Sequence, residues 1–199
     1  MEIPKPMPTQ LLFLSLLCLF FSCGSPPKEA PEATAKYQDI DLSKIDTSDF
    51  LLASSATGGA YAFGKPFVFM DRAGQVVIPA KAYEVTFTDT LRTFATVVDS
   101  AGQMIGVNRS GQPLFEVFVY DNGPDYLEEG LFRVIRDGKI GFANPLGEVV
   151  IPCQFECAYP FEGGRAKVAD TCTTVQEGEY SRWESEAWYY IDQAGKRLP

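Results

Sequence analysis

Four segments of this chain share a pattern in which an Asp or Asn is followed three residues later by a Gly, with strand-forming residues around the turn. Asp71-Arg-Ala-Gly74 leads into Gln-Val-Val-Ile-Pro79, and Asn108-Arg-Ser-Gly111 into Gln-Pro-Leu-Phe115. Asn144-Pro-Leu-Gly147 leads into Glu-Val-Val-Ile-Pro152, and Asp192-Gln-Ala-Gly195 into Lys-Arg-Leu-Pro199. The glycines at 74, 111, 147 and 195 stand 37, 36 and 48 residues apart, so the last interval carries 12 extra residues relative to the one before. A period of this length identifies a repeat protein, which constrains the fold more than any single motif.

Local chemistry gives each turn its role. Asp or Asn bonds its own backbone, and Gly accepts the positive φ that closes the turn. Apolar residues flank it, as in Phe67-Val-Phe-Met70 before the first turn and Val76-Val-Ile78 after it, which is the pattern of a β-hairpin. Pro79 and Pro152 are expected to end the second strand, because Pro donates nothing to a ladder. Arg165-Ala-Lys-Val-Ala169 and Leu131-Phe-Arg-Val-Ile135 supply a third strand after a loop. No window sustains apolar residues at helical spacing, so the body is expected to be nearly all β, with three strands per unit.

The third unit carries a resemblance. Ile140-Gly-Phe-Ala-Asn144-Pro-Leu-Gly-Glu-Val-Val-Ile-Pro152, followed by Phe155-Glu156, Ala158, Phe161 and Gly163 to Val168, resembles the WG (or KWG) repeat. Trp188-Tyr-Tyr-Ile-Asp192-Gln-Ala-Gly195-Lys196 is similar to the opening of another such unit. The Trp of the naming pair is replaced by Phe67, Met104 and Ile140 and kept at Trp188, and the Gly is kept in the third unit alone. The resemblance covers about residues 60–199. It implies a bacterial repeat protein, often exported, and brings no catalytic residues. About three and a half three-stranded units are expected, in an open or partly closed array. Ala60-Tyr-Ala-Phe63 looks like a third strand with no unit before it, and the fourth unit stops after its turn. Half units at the two ends, if joined, would hide exposed strand edges.

Ahead of the repeats lies an address. Residues 11–21 form an apolar run of 11, too short to span a bilayer but right for a signal-peptide core, and Ser22-Cys23-Gly24 follows at once. A small residue before Cys resembles a bacterial lipobox, so residues 1–22 are expected to be removed and Cys23 to carry lipid. Cys18, preceded by Leu17 within the run, fits less well. Residues 24–36 hold three Pro and almost nothing apolar. The expected layout is a signal peptide over 1–22, lipidated Cys and disordered tether over 23–47, and the repeat domain over 48–199. That arrangement places the protein in the cell envelope, on the outer membrane or surface of a Gram-negative bacterium, with the lipid as its membrane partner.

Composition then narrows function. The 199 residues hold 17 Lys and Arg against 26 Asp and Glu, with a net charge of −9 and no His. The acidic balance argues against nucleic acid, and the missing His removes the commonest general base and metal ligand. No cofactor or metal site is expected. Cys153, Cys157 and Cys172 remain in an oxidising compartment, and Cys157–Cys172 is the favoured pair because these residues flank one loop. Cys153 and Cys157 sit in an extended segment that holds them too far apart. Asp121 to Asp125 with Glu128-Glu129 is taken as a solvated turn, and Glu128, Glu129, Glu177 and Glu179 as surface charge. The insertion at 172–187 breaks the period, and long loops on repeat scaffolds often carry function. Tyr180, Trp183 and Glu184 are therefore the candidate binding residues, for a protein or glycan ligand. The competing view is a hairpin in which Val175 packs across from Trp183. The expected role is a non-enzymatic binding or scaffolding module, with a glycan-directed lectin or hydrolase of a polysaccharide-uptake system as the alternative.

Overall fold

The computed structural model describes residues 36–178 and 180–199, with Tyr180 as backbone only. The signal segment and Cys23 lie outside the described residues. Residues from 51 onward form strands connected by tight turns. The first unit contributes β1 (Leu51–Ser55), β2 (Phe67–Met70), β3 (Val76–Ile78), β4 (Val85–Thr86), β5 (Thr90–Leu91) and β6 (Phe94–Val98). The second contributes β7 (Met104–Asn108), β8 (Pro113–Val117), β9 (Val119–Tyr120), β10 (Gly123–Pro124) and β11 (Phe132–Arg136). The third contributes β12 (Lys139–Ala143), β13 (Val149–Phe155), β14 (Cys157–Ala158) and β15 (Arg165–Ala169). The remainder holds β16 (Thr173–Glu177), β17 (Tyr180–Glu184) and β18 (Tyr189–Asp192).

The strand pairings are antiparallel. β3-β2-β1-β5 form one sheet, β13-β12-β11-β8-β7-β6-β4 a second, and β14-β15-β18 a third, with two short ribbons, β10-β9 and β16-β17. Each unit has more than the three strands expected, because the stretch between hairpin and third strand makes short pairings of its own. All four expected turns are hairpins of one geometry. At 71–74 the Asp71 carboxylate accepts from the N–H groups of Ala73 and Gln75 at 2.9 and 2.8 Å, and Gly74 N donates to Asp71 O at 3.0 Å. Asn108, Asn144 and Asp192 repeat this with their own turns. A fifth copy, Asp99-Ser-Ala-Gly102, joins β6 to β7.

Two expectations need correction. Pro152 does not end its strand, since β13 runs through it to Phe155. β13 lies at the edge of the seven-stranded sheet, where a residue without an N–H is tolerated, and its ladder with β12 has shifts in register. Nor does Ala60–Phe63 act as the leading third strand. Ala60 makes one isolated bridge to Ser54, while β1 takes that place beside β2. The two ends do not exchange half units. β18 pairs with β15 and bridges to Arg197, β1 pairs with β2 and β5, and the array is open.

Alternation along the strands fills three successive hydrophobic clusters. The first gathers Phe67, Phe69, Ile78, Leu91, Val97 and Val107, the second Leu114, Phe115, Val117, Phe132 and Val134. The third holds Ile140, Phe142, Ile151, Phe155, Phe161 and Ile191. Residues 37–50, assigned from composition largely to the tether, lie along the array as a strap. Tyr37 is buried, and its hydroxyl donates to Glu116 Oε1 at 2.5 Å. Ile40 packs on the second cluster. Arg136 donates to Asp39 Oδ1 and Gln38 O, Arg109 to Asp49 Oδ2, and Arg72 to Ser48 O. The folded body therefore includes residues 37–47, which polarity alone assigned to the tether.

Candidate functional site

The three-stranded sheet shows how the sequence builds a face. In Arg165-Ala-Lys-Val-Ala169 the alternate residues Ala166 and Val168 enter the core, and Ile191 joins them from β18. Arg165, Lys167 and Tyr190 are left on the other side. The Arg165 guanidinium lies 4.6 Å from the Tyr190 ring centroid, and the Lys167 ammonium lies 4.7 Å from Trp188 and 5.8 Å from Tyr159. Each cation is thus oriented by an aromatic ring.

The insertion forms the β16-β17 hairpin beside this face. Its register pairs Val175 with Arg182 and Thr174 with Trp183, so the expected Val175–Trp183 pair does not form. Trp183 instead folds back on the body, edge-to-face with Tyr159 at 5.4 Å and with Phe118 at 5.8 Å. The hairpin is tied at its root. Cys157 and Cys172 form a disulfide with Cα atoms 6.2 Å apart and a separation of 15 residues, a loop whose closure contributes about 3 kcal/mol on the chain-entropy account. Cys172 N donates to Glu156 Oε2 at 3.0 Å, and that bond with the Lys139 ammonium holds the Glu156 carboxyl below the usual carboxylate range. The Tyr189 hydroxyl donates to Asp170 at 2.6 Å, and burial with that bond pushes its pKa up to about 12. Cys153 is a half-buried free thiol whose burial raises its pKa.

The facing wall comes from residues 118–126, where Tyr120 and Tyr126 pack edge-to-face at 5.5 Å. Beneath it a buried ion pair fixes the geometry. Arg133 and Asp125 side chains are 4% and 2% exposed. Arg133 donates to both Asp125 oxygens at 2.9 and 2.6 Å and to Ala158 O at 3.2 Å, and its guanidinium stacks 3.9 Å from the Phe118 ring centroid. Each of the three guanidinium nitrogens donates to a partner, so Arg133 braces the wall. Removing one partner of such a buried pair is strongly destabilising, because it leaves the other charge buried and uncompensated. Asp125 is therefore not part of a solvated turn, as its sequence neighbourhood suggested. Glu129 is likewise more than surface charge, because its carboxylate accepts from Gly163 N and Gly164 N at 2.8 and 2.9 Å and clasps one unit to the next.

Between these walls lies an open groove of about 1350 Å³, whose lining includes Tyr120, Tyr126, Tyr159, Trp183 and Tyr190 with Arg133, Arg165 and Lys167. A shallower groove of about 770 Å³ runs along the other side of the hairpin. Of the residues singled out from sequence, Trp183 borders both grooves. Glu184 borders only the shallower one and is ion-paired with Arg182. The Tyr180 side chain and Glu179 lie outside the described residues. Sequence reasoning passed over Tyr159, Tyr190, Arg165 and Lys167. The alternation in Arg165-Ala-Lys-Val carried a signal for two of them, whereas the joining of residues 118–126 to this face is purely tertiary.

The fold and groove together define an all-β repeat protein with one face elaborated by an insertion. Its third unit, residues 140–169, matches the family model described as "WG containing repeat", so the chain carries a WG repeat. No curated protein and no solved structure matches the chain.

Proposed function

We propose that this protein is a non-enzymatic binding module of the cell envelope, held at a membrane by lipid on Cys23 and engaging a ligand in the aromatic groove. One observation carries the reading: seven aromatic side chains line one open groove bordered by a disulfide-tied insertion. Rigid, amphipathic rings give much contact area at small entropic cost, which suits recognition over an extended surface. The Ser22-Cys23-Gly24 step after the apolar run supports the anchor. The protein's partners on this reading are the membrane, through the lipid, and a protein or glycan in the groove.

The test has two arms. A fatty-acid analogue fed to cells should label the protein, and Cys23→Ala should abolish the label; a label that survives removes the anchor from Cys23. Envelope polysaccharides and envelope proteins screened against the full chain should yield a ligand that Trp183→Ala binds at least about tenfold more weakly. Equal affinity in a normally folded variant puts the site elsewhere. Turnover of any ligand that is lost on replacing one carboxylate would overturn the non-enzymatic reading.

A further inference from the structure

We infer that the groove takes an acidic sugar chain, a saccharide bearing carboxylate or sulfate groups. This rests on the groove being the binding site and adds the chemistry of the ligand. Three features of the lining point to it. Tyr126 and Tyr120 are 56% and 51% exposed on one wall, and Tyr190 and Tyr159 are 40% and 38% exposed on the other. Flat rings held open to solvent on both sides of a groove match the C–H faces of pyranose rings. Arg165 and Lys167 form no ion pair among the described residues. They project from the same face of β15, about 7 Å apart along the strand, and each is steadied against a ring. They form a positive stripe for anionic groups. Glu128 and Glu162 also border the groove and are exposed. A sugar hydroxyl both donates and accepts, so one acidic saccharide satisfies carboxylates and cations together.

The other ligand classes fit less well. An acidic peptide offers no hydroxyl rim to Glu128 and Glu162, which would repel it. Extended peptides are held by main-chain bonds to a free strand edge. Here β15 is paired on both sides, and the outer edge of β18 is met by the Ile191–Arg197 bridge and by Leu198 N donating to Tyr190 O. A neutral sugar leaves Arg165 and Lys167 unused. Nucleic acid requires a far more basic surface than a chain of net charge −9 provides.

The two tryptophans of the chain, Trp183 and Trp188, flank this face, so intrinsic fluorescence reports occupancy directly. The full chain should be titrated with oligogalacturonate, oligoguluronate and chondroitin sulfate, with methyl-esterified oligogalacturonate as the uncharged isostere and polyglutamate as the acidic peptide. At least one acidic saccharide should bind. Neutralising its charge, or making the exposed double substitution Arg165→Gln, Lys167→Gln, should weaken binding about tenfold or more. Tyr190→Ser should weaken it as well. Equal binding of acid and ester, preference for polyglutamate, or silence across all three acidic saccharides overturns the inference. Binding that falls with Tyr190→Ser but ignores the charge substitutions overturns the ligand class and leaves the groove in place. Saccharide binding indifferent to both sets overturns the groove itself.

Discussion

Gly141 shows why the naming glycine of a WG unit survives here in one place. A Cβ built on it would sit 2.5 Å from Ile151 O and 2.7 Å from Cys153 N, both backbone atoms of β13. Backbone within a paired ladder cannot move aside as a side-chain tip can. The constraint arises where the β12-β13 register shifts and β13 crowds its neighbour. Gly74 differs, because its positive φ of 77° is strained for other residues but nothing lies within 4 Å of its missing Cβ. Gly74→Ala should therefore cost about 1 kcal/mol, from conformation alone. Gly141→Ala should cost about 3 kcal/mol or more through overpacking. Urea unfolding of the two variants checks the order, and equal losses would show that β13 yields freely at this point.

The strap over residues 37–50 is held by ionic contacts, and these give it a pH dependence that the core lacks. Asp49 is held below the ordinary carboxylate range by Arg109, and Glu116 by the Tyr37 hydroxyl and then Lys36. Asp46 is lowered by Ser48. A carboxyl with a depressed folded pKa stabilises the fold at pH above its unfolded value, here 3.8 for Asp and 4.5 for Glu. That contribution is lost as pH falls through the depressed folded value. Amides of the strap should thus lose hydrogen-exchange protection as pH falls below 4.5 and on through the depressed folded values, while those of β7 and β8 keep theirs. Simultaneous loss in strap and strands would show that the strap is integral to the core. The same contacts explain what sequence could and could not convey. The turns were legible because Asp71, Asn108, Asn144 and Asp192 each act on their own backbone, so the information is local. Asp99-Ser-Ala-Gly102 has the same form, but Gly102 stands 28 residues after Gly74 and 9 before Gly111, off the period that marks the others. The strap and the groove were not legible, because their meaning lies in partners far along the chain: Asp39 with Arg136, Asp49 with Arg109, Trp183 with Phe118.

At the scale of the molecule, three clusters strung along an open array raise the question of whether the fold melts as one body. In a repeat array each unit is stabilised mainly by its neighbours, so the strength of the junctions decides. Within the seven-stranded sheet, β6 pairs with β7 over five residue pairs from Phe94 to Val98, and β11 with β12 over five from Phe132 to Arg136. β8 and β11 share only two, Val134 with Val117 and Ile135 with Glu116. The backbone ladder is therefore thin in the middle, as thin as at the β4 edge, and there the second hydrophobic cluster crosses it through Val117, Phe132 and Val134. Phe69 lies on the far side of that seam, fully buried in the first cluster. Phe69→Ala should remove about 3–5 kcal/mol, a large part of the ~5–15 kcal/mol that holds a typical domain. If the seam acts as a boundary, exchange should rise across residues 51–107 while residues 140–192, with their own cluster and disulfide, remain protected. The groove, built on that second half, should keep its shape and its ligand. Uniform loss of protection in Phe69→Ala would instead show that side-chain packing across the seam outweighs the thin ladder, and that the array unfolds as a single cooperative unit.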